Sequence, residues 1–311
     1  MIIKRQFNPF KVIRYVHREL LWSIFWTTLM IWLVDRRYVT WTVPFSVVAI
    51  VGSALAIFIA FRNNSAYGRW WEARTLWGGI VNSSRVLARL VITFTDSHAH
   101  LPGYDVEQAT TFKRVMVYRI IAWAHALRIQ LRGQDTWEEL QPFMTAEEYE
   151  RMLTAGNQVN LIQLHQGKAI YEAMRKGILA GFDSFQLEGQ LLALANYQGG
   201  CERIKRTPLL RQYDYFTRIF LWTFIALLPW SLVPDLAKTA GWVLSFPISV
   251  LISFVFSILG KVGEVNEDPF ENRITDVPMT AICGTIERDL LDMLGESSLP
   301  KTESPYDGYL Y

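Results

Sequence analysis

A run of charged, amide and aromatic side chains, FRNNSAYGRWWEAR at Phe61–Arg74, follows directly on a long uncharged stretch. Guanidinium and amide groups bind ions, carboxylates and lipid phosphates, and tryptophans collect where an apolar region meets water. This composition favours a role at a membrane interface. The motif residues are Arg62, Asn63, Asn64, Arg69, Trp70, Trp71 and Glu72.

Patterns typical of enzymes are missing from the sequence. There is no glycine-rich phosphate loop, no G-x-S-x-G elbow and no H-E-x-x-H pair. Asp96, His98 and His100 stand close together in DSHAH, but histidines two positions apart share a face only in an extended segment. The adjacent Pro102–Gly103 predicts a loop there. We therefore expect no catalytic residue, no metal site and no cofactor.

The composition indicates a chain that is part membrane and part soluble. Hydrophobic residues make up 51% of the 311 residues and aromatic residues 14%, yet 19% are charged. A net charge of +2 is too small for a nucleic-acid partner, which needs several cations to neutralise phosphates. Only two cysteines, Cys201 and Cys283, are present, and their spacing predicts free thiols.

Four stretches are candidates for membrane spans. A helix crosses the roughly 30 Å hydrocarbon layer with about 20 apolar residues. The candidates are Leu20–Val34, Thr42–Phe61, Ile219–Val233 and Ala240–Gly260. The remaining apolar spacing is mostly helical. The sequence therefore predicts a mainly α polytopic membrane protein with four transmembrane helices per subunit and a helical cytosolic region.

The positive charges predict the orientation of these spans. Loops rich in lysine and arginine stay on the cytoplasmic side. Only Arg36, Arg37 and Lys238 lie on one side of the predicted spans, and every other lysine and arginine lies on the other side. We expect a multi-pass protein of the plasma (inner) membrane with both termini cytoplasmic. The predicted regions are 1–61 with spans one and two, 62–218 as the cytosolic helical region, 219–260 with spans three and four, and 261–311 as a cytosolic C-terminal segment.

Two patterns predict helix ends in the cytosolic region. The amphipathic stretch TFKRVMVYRIIAWAHALRIQLRG should form a helix that stops at Gly133, with cations such as Arg128 and Arg132 turned away from its apolar face. Thr145 followed by Glu148 three residues later predicts a capping box at the start of another helix.

The second span carries a stripe of three side chains. Ser53, Ile57 and Phe61 are spaced four apart and therefore line up along one side of a helix. Repeated around a symmetry axis, this stripe would form a narrow apolar tube, and such a constriction gates an ion path by losing its water. The same stripe could equally face lipid or a protein core, and the residues alone leave these alternatives open.

The motif at Phe61–Arg74 closely resembles the signature of the bestrophin family, whose prokaryotic members carry F-R-N-N-x-x-Y-x-R-W-W-E-x-R after the second span. ANYQGGCERIKRTPLLRQY at Ala195–Tyr213 and EDPFENRITDVPMTAICGTIERDLLDML at Glu267–Leu294 are similar to family segments before the third span and after the fourth. The resemblance implies a homopentamer that lies in membrane lipid and passes small monovalent ions through one axial pore.

The resemblance also implies two constrictions. The membrane constriction, or neck, would consist of Phe61, Ile57 and Ser53, where the serine departs from an otherwise apolar pattern. The cytosolic aperture would be one apolar side chain in GILAGFD. We favour Leu179, with Ile178 and Phe182 as alternatives.

Selectivity and calcium gating are the finer expectations. Animal members resemble chloride channels, whereas characterised bacterial relatives resemble monovalent cation channels, so the prokaryotic motif favours sodium here. The alternatives are a chloride or anion channel and a non-conducting membrane scaffold or sensor. Arg62 and Arg69 would favour anions if they faced the pore, and otherwise would bind headgroups and Glu72. Because a dense acidic run is missing after the fourth span, we expect no calcium gating.

Overall fold

The computed structural model describes residues 1–3, 13–39, 41–239 and 242–311. Within these ranges the chain is mainly helical, and its β structure is limited to isolated bridges. The helices are α1 His17–Asp35, α2 Phe45–Ser97, α3 Val106–Arg132, a 3-10 helix Trp137–Phe143, α4 Ala146–Leu153, α5 Gln158–Arg175, α6 Gly181–Arg206, α7 Arg211–Thr239, α8 Trp242–Asn266 and α9 Met279–Met293. The predicted mainly α fold is confirmed.

The helix ends in the middle of the chain form where the sequence predicted them. Helix α3 stops at Gly133, whose φ of 63° lies in the left-handed region that glycine adopts without a steric cost. Helix α4 begins with a complete capping box between Thr145 and Glu148. Cys201 and Cys283 are both free, as expected, and the structure shows both to be buried.

The chain divides into two compact units, each with its own packing. The first, here called the span unit, comprises Lys4–Trp70 and Pro208–Asp268 within the described ranges. The second, here called the charged-core unit, comprises Met1–Ile3, Trp71–Thr207 and Pro269–Tyr311. Helix α2 contributes residues to both units. The predicted boundaries at 61, 218 and 260 stay predictions.

The core of the span unit is an apolar contact between α2 and α7. Its buried members are Val48, Leu55, Ile59, Leu221, Phe224, Ile225 and Leu228. Gly52 lies against the same surface, because a Cβ atom at that position would stand 2.8 Å from Phe224 Cε2. A residue without a side chain therefore fits at this contact between α2 and α7.

Buried hydroxyls mark the packing of α8 and α1. Four serines spaced four apart on α8 are all buried: Ser245, Ser249, Ser253 and Ser257. Ser23 and Thr27 are buried on α1, which packs against α8. Small side chains of this kind let membrane helices approach closely, since packing rather than burial from water holds them together.

Three described segments are long and apolar enough to cross a membrane: Phe45–Ser97, Gly181–Ala237 and Val243–Asn266. They contain the predicted third span, the second span except its first three residues, and most of the fourth, whose residues 240 and 241 lie outside the described ranges. The first predicted span forms helix α1, which is not among the three segments, so its crossing stays a prediction.

Candidate ion-conducting site

The three predicted neck residues share one open side of α2. Ile57 is 55% exposed and Phe61 64% exposed, and Ser53 is exposed as well. The hydroxyl of Ser53 donates to the carbonyl of Ala49 at 2.9 Å, so its proton is used within the helix. The stripe therefore presents two apolar side chains and one weakly polar one on the open side of α2.

The opposite side of α2 is buried in the span unit. Val48, Leu55 and Ile59 are nearly inaccessible there. Helix α2 is thus two-sided, with one apolar side packed and the other left open by the single chain. A contiguous exposed apolar surface marks contact with lipid, with another chain or with a lumen.

Arg62 follows Phe61 but turns away from the open side. It is 4% exposed, and its Nη2 lies 2.7 Å from Asp214 Oδ1 and 3.2 Å from Glu267 Oε2. Its Nη1 also donates to the carbonyl of Gly260 at 3.3 Å. The expectation that Arg62 faces the pore or pairs with Glu72 is wrong, because a buried guanidinium needs carboxylates within reach and α7 and the end of α8 supply them.

The two asparagines after Arg62 take different positions. Asn63 Nδ2 donates to the carbonyl of Leu259 at 2.9 Å. A Cβ atom at Gly263 would lie 2.3 Å from Asn63 Oδ1, so the glycine makes room for this contact. Asn64 is exposed, three residues beyond Phe61. One amide therefore joins α2 to α8, and the other remains on the open surface.

The second half of the motif is held by backbone and side-chain contacts. Arg69 Nε donates to the carbonyl of Glu267 at 2.8 Å, and its Nη2 is 3.8 Å from Asp268 Oδ1. The rings of Tyr67 and Trp70 stack with centroids 6.3 Å apart. Within the charged-core unit, Glu72 accepts a hydrogen bond from Arg203, while Trp71 is exposed.

The three aperture candidates differ in exposure. Ile178 and Leu179 are buried, at 3% and 4%, whereas Phe182 is 69% exposed in the first turn of α6. Asp183 fixes this turn, because its Oδ2 accepts the backbone N–H of Ala180 at 2.8 Å. Among the three candidates, Phe182 alone presents its side chain to the outside of the chain.

The DSHAH segment takes part in the same arrangement. His98 Nε2 lies 2.6 Å from Asp183 Oδ2 at the start of α6. In the part of the chain that the structure describes, no group of three metal-ligating side chains comes together. His98 thus has a carboxylate partner in the fold, rather than a shared ligand set with His100.

The charged-core unit buries cations that the amphipathic pattern placed outside. Arg128 is buried and bonded to Glu139 on the 3-10 helix, and Arg132 Nη1 donates to Thr280 Oγ1 at 2.6 Å. Burial, together with the charge of Arg128, lowers the pKa of Arg132 to about 10. The prediction that the cations of this helix turn away from the core is wrong for Arg128, because a second layer of helix covers that face of α3, whereas Arg114 is exposed as predicted.

A second ion pair of this unit joins α3 to α4. Arg119 bonds to Glu148 and donates to the carbonyl of His165 at 2.9 Å. Burial alone would raise the pKa of Glu148, but the hydrogen bond and charge of Arg119 outweigh it, so this pKa lies below its usual value. Burial also lowers the pKa of His165.

Sequence reasoning missed the partners of the motif, above all Asp214 and Glu267. One signal was available: both acids lie at the ends of apolar spans, where a carboxylate is costly without a cation nearby. This signal shows that each acid needs a cation nearby, but it does not by itself identify Arg62, which directly follows the second predicted span. The carbonyls of Leu259 and Gly260 gave no such signal, since every residue carries one.

Residues 7–292 match the family described as Bacterial/Fungal Bestrophin protein. Among curated proteins, the chain is 37% identical over 257 residues to the voltage-dependent anion channel-forming protein YneE of Escherichia coli K12, covering 83% of this chain and 78% of that protein. It is 35% identical over 266 residues to the protein of that name from Salmonella typhimurium, covering 86% and 81%.

Comparison with solved structures indicates the same family. A crystal structure of a bacterial bestrophin homologue from Klebsiella pneumoniae superposes with a TM-score of 0.82 at 29% identity, covering 91% of this chain and all of that one. The family model spans most of the chain, and the fold agrees over the same length. The chain therefore belongs to the bestrophin family.

Proposed function

We propose that this chain is the subunit of a homopentameric channel that passes small monovalent ions passively across the plasma (inner) membrane. One observation carries the proposal: Ser53, Ile57 and Phe61 form an exposed stripe on a helix long enough to span a membrane. Five such stripes around an axis would form the neck. The bestrophin family is a family of channels, and this supports a channel over an enzyme.

The neck would select ions through hydration rather than through charge. Arg62 lies between two carboxylates, and Arg69 is bonded at the end of α8, so neither offers an uncompensated cation to the open side of α2. An ion at Ile57 or Phe61 finds no group that replaces its lost water. Large, weakly hydrated ions should therefore pass more readily than small, strongly hydrated ones of the same charge.

We propose monovalent anions, with chloride as the ordinary substrate. The relatives from Escherichia coli and Salmonella typhimurium are named as anion channel-forming proteins, and these names support the anion alternative more than the expectation of sodium. A neutral apolar neck is compatible with this choice, because halide ions lose their water more cheaply as they grow larger.

The remaining parts of the proposal rest on the charge distribution and on exposure. Both termini and region 62–218 would be cytoplasmic, since Arg36, Arg37 and Lys238 are the only cations on the opposite side.

For the aperture, exposure supports Phe182 over Leu179 and Ile178, because a buried side chain has to leave its packing to line a lumen.

Chloride efflux from vesicles with the purified protein tests the proposal. Replacing Ile57 and Phe61 together with alanine should raise the flux about tenfold or more, if widening the neck removes about 1.4 kcal/mol from the barrier. The control is Leu251→Ala, an equally exposed apolar residue on α8, which should leave the flux unchanged. A monomer without flux would instead support the scaffold or sensor alternative.

A further inference from the structure

A cavity of about 460 Å³ lies within the span unit. It is bounded by the start of α1, the first turns of α7, the last turns of α8 and the buried Arg62. These helix ends carry most of the charged residues of the unit, so the cavity belongs to the end that the charge distribution places at the cytoplasmic surface. The cavity is not part of the stripe at Ser53, Ile57 and Phe61.

Charges of both signs line this cavity. The residues are Arg18, Arg218, Lys261, Glu19, Asp214 and Glu264. Arg218 Nη2 donates to Asp214 Oδ2 at 2.8 Å, and Lys261 Nζ donates to Glu264 Oε1 at 2.6 Å. A simple ion of either sign would meet repelling charges here, whereas a ligand with both an anionic and a cationic group would match the alternation.

Two buried polar atoms at the cavity have no partner among the described residues. Thr217 lines the cavity and is only 2% exposed, yet its Oγ1 makes no hydrogen bond. The Nε of Arg62 is likewise buried and without a partner. A buried donor left unpaired is unfavourable, and a ligand oxygen that displaced the side chains covering either atom would remove that penalty there.

One wall of the cavity is apolar and aromatic. Leu221 is buried, and Trp222 and Tyr15 line the same cavity. Aromatic side chains next to cations are typical of the level where lipid headgroups meet acyl chains. A free phosphate ion would have no use for this wall, whereas a lipid would place its glycerol and first methylenes against it.

We propose that the cavity binds the headgroup of a phospholipid that carries both a phosphodiester and a primary ammonium. The phosphodiester would accept hydrogen bonds from Thr217 Oγ1, Arg62 Nε and Arg218. The ammonium would donate to Glu19 and Glu264. The inference rests on the proposed placement of the span unit in a membrane, but not on conduction. By occupying the space between Arg62 and the first turns of α7, the lipid would stabilise the contacts that hold α2 behind the neck.

Native mass spectrometry of the detergent-purified full chain, titrated with dioleoylphosphatidylethanolamine, tests the proposal. Saturable binding is expected, and Thr217→Val should weaken it about tenfold. The same change should not lower the thermal midpoint of the lipid-free protein, because the lost hydroxyl has no partner. Thr223→Val, an exposed threonine on the same helix, is the matched control and should bind like the wild type.

A second variant keeps the test independent of Thr217. Arg218→Gln should weaken lipid binding, while Arg211→Gln, an arginine of α7 that does not line the cavity, should not. Dioleoylglycerol, which lacks the headgroup, should not bind the site. Equal binding of dioleoylglycerol, or wild-type affinity in Thr217→Val, would overturn the proposal.

Competition separates the two sources of a phosphate group. Glycerophosphoethanolamine should compete with the lipid, and inorganic phosphate at the same concentration should not. Displacement by inorganic phosphate alone would overturn the lipid assignment. These assays measure lipid binding and not current, so they are independent of the flux assay. A protein that binds the headgroup but does not conduct would contradict only the proposed channel function. A protein that conducts but does not bind the headgroup would contradict only this inference.

Discussion

The two parts of helix α2 have different surroundings within their own units. In the span unit, Ile57 and Phe61 leave more than half of their side-chain surface open. In the charged-core unit, Trp77, Ile80 and Leu87 are fully buried by other helices of the same chain. Both parts are equally helical, so helix formation does not distinguish them. The difference shows that the first part needs lipid, other subunits or a lumen to complete its surroundings, and the second does not.

The ion pairs of the two units also have different surroundings. In the span unit, Arg62 is neutralised behind the open stripe by Asp214 and Glu267. In the charged-core unit, pairs such as Arg128–Glu139 lie between layers of helix. The first arrangement removes charge from a surface that we propose to be a lumen, and the second joins neighbouring helices. Each of the following tests changes one side of this comparison.

The largest effect should come from Arg62→Gln. Removing the cation leaves two carboxylates in a buried site, which should cost about 3–5 kcal/mol of unfolding free energy. The matched change Arg203→Gln breaks a largely exposed pair with Glu72 and should cost about 1 kcal/mol or less. Denaturant unfolding of the purified protein measures both. Equal losses would show that Arg62 is not buried with its partners.

Leu87→Ala and Ile57→Ala compare the two parts of α2 directly. Leu87 is fully buried, so truncation should cost about 2–5 kcal/mol through lost contacts and a cavity. Ile57 is exposed, and its truncation should change the unfolding free energy by about 0.5 kcal/mol or less. The same unfolding assay applies. A loss at Ile57 as large as that at Leu87 would place Ile57 in a packed contact rather than at a lumen.

Two glycines of α2 should respond with opposite signs. Gly52→Ala forces a Cβ atom to within 2.8 Å of Phe224 and should cost about 1–3 kcal/mol. Gly68→Ala meets nothing within 4 Å in this chain and should stabilise the helix by about 0.5–1 kcal/mol. Thermal unfolding of the two variants provides the comparison. If Gly68→Ala is destabilising, another subunit covers that side of α2.

The smallest effect concerns pH and the charged-core unit. Burial lowers the pKa of His165, so the unfolded chain binds this proton more readily than the folded one. The stability that the fold gains by burying His165 in its neutral form is therefore fully present above a pH of about 6.5. It is lost as the pH falls below that value. His165→Gln should reduce the fall in thermal midpoint between pH 7 and pH 5, and the exposed His100→Gln should not. Identical curves for wild type and His165→Gln would contradict this.

Local patterns were sufficient for the helices and for several of their ends. The left-handed glycine at Gly133 and the capping box at Thr145 depend only on neighbours in sequence, so the sequence specified them. The common stripe of Ser53, Ile57 and Phe61 follows from the helical repeat in the same way. What the stripe faces depends on other chains and on lipid, and a single sequence does not contain that information.

Contacts between distant segments were the part that the sequence did not provide. Arg128 falls outside the apolar face of α3, yet a second layer of helix covers it. The partners of Arg62 lie 152 and 205 positions away, at the ends of other helices. No local rule pairs one arginine with two of the 29 acidic residues in the chain.

The most direct test of the central claim is the reversal potential of a bilayer that contains the purified protein, with sodium chloride concentrated on one side. We predict a measurable current whose reversal potential lies towards the equilibrium potential of chloride, and a further shift when iodide replaces chloride. A reversal potential near that of sodium would contradict the anion assignment. A bilayer without any current would contradict the channel itself.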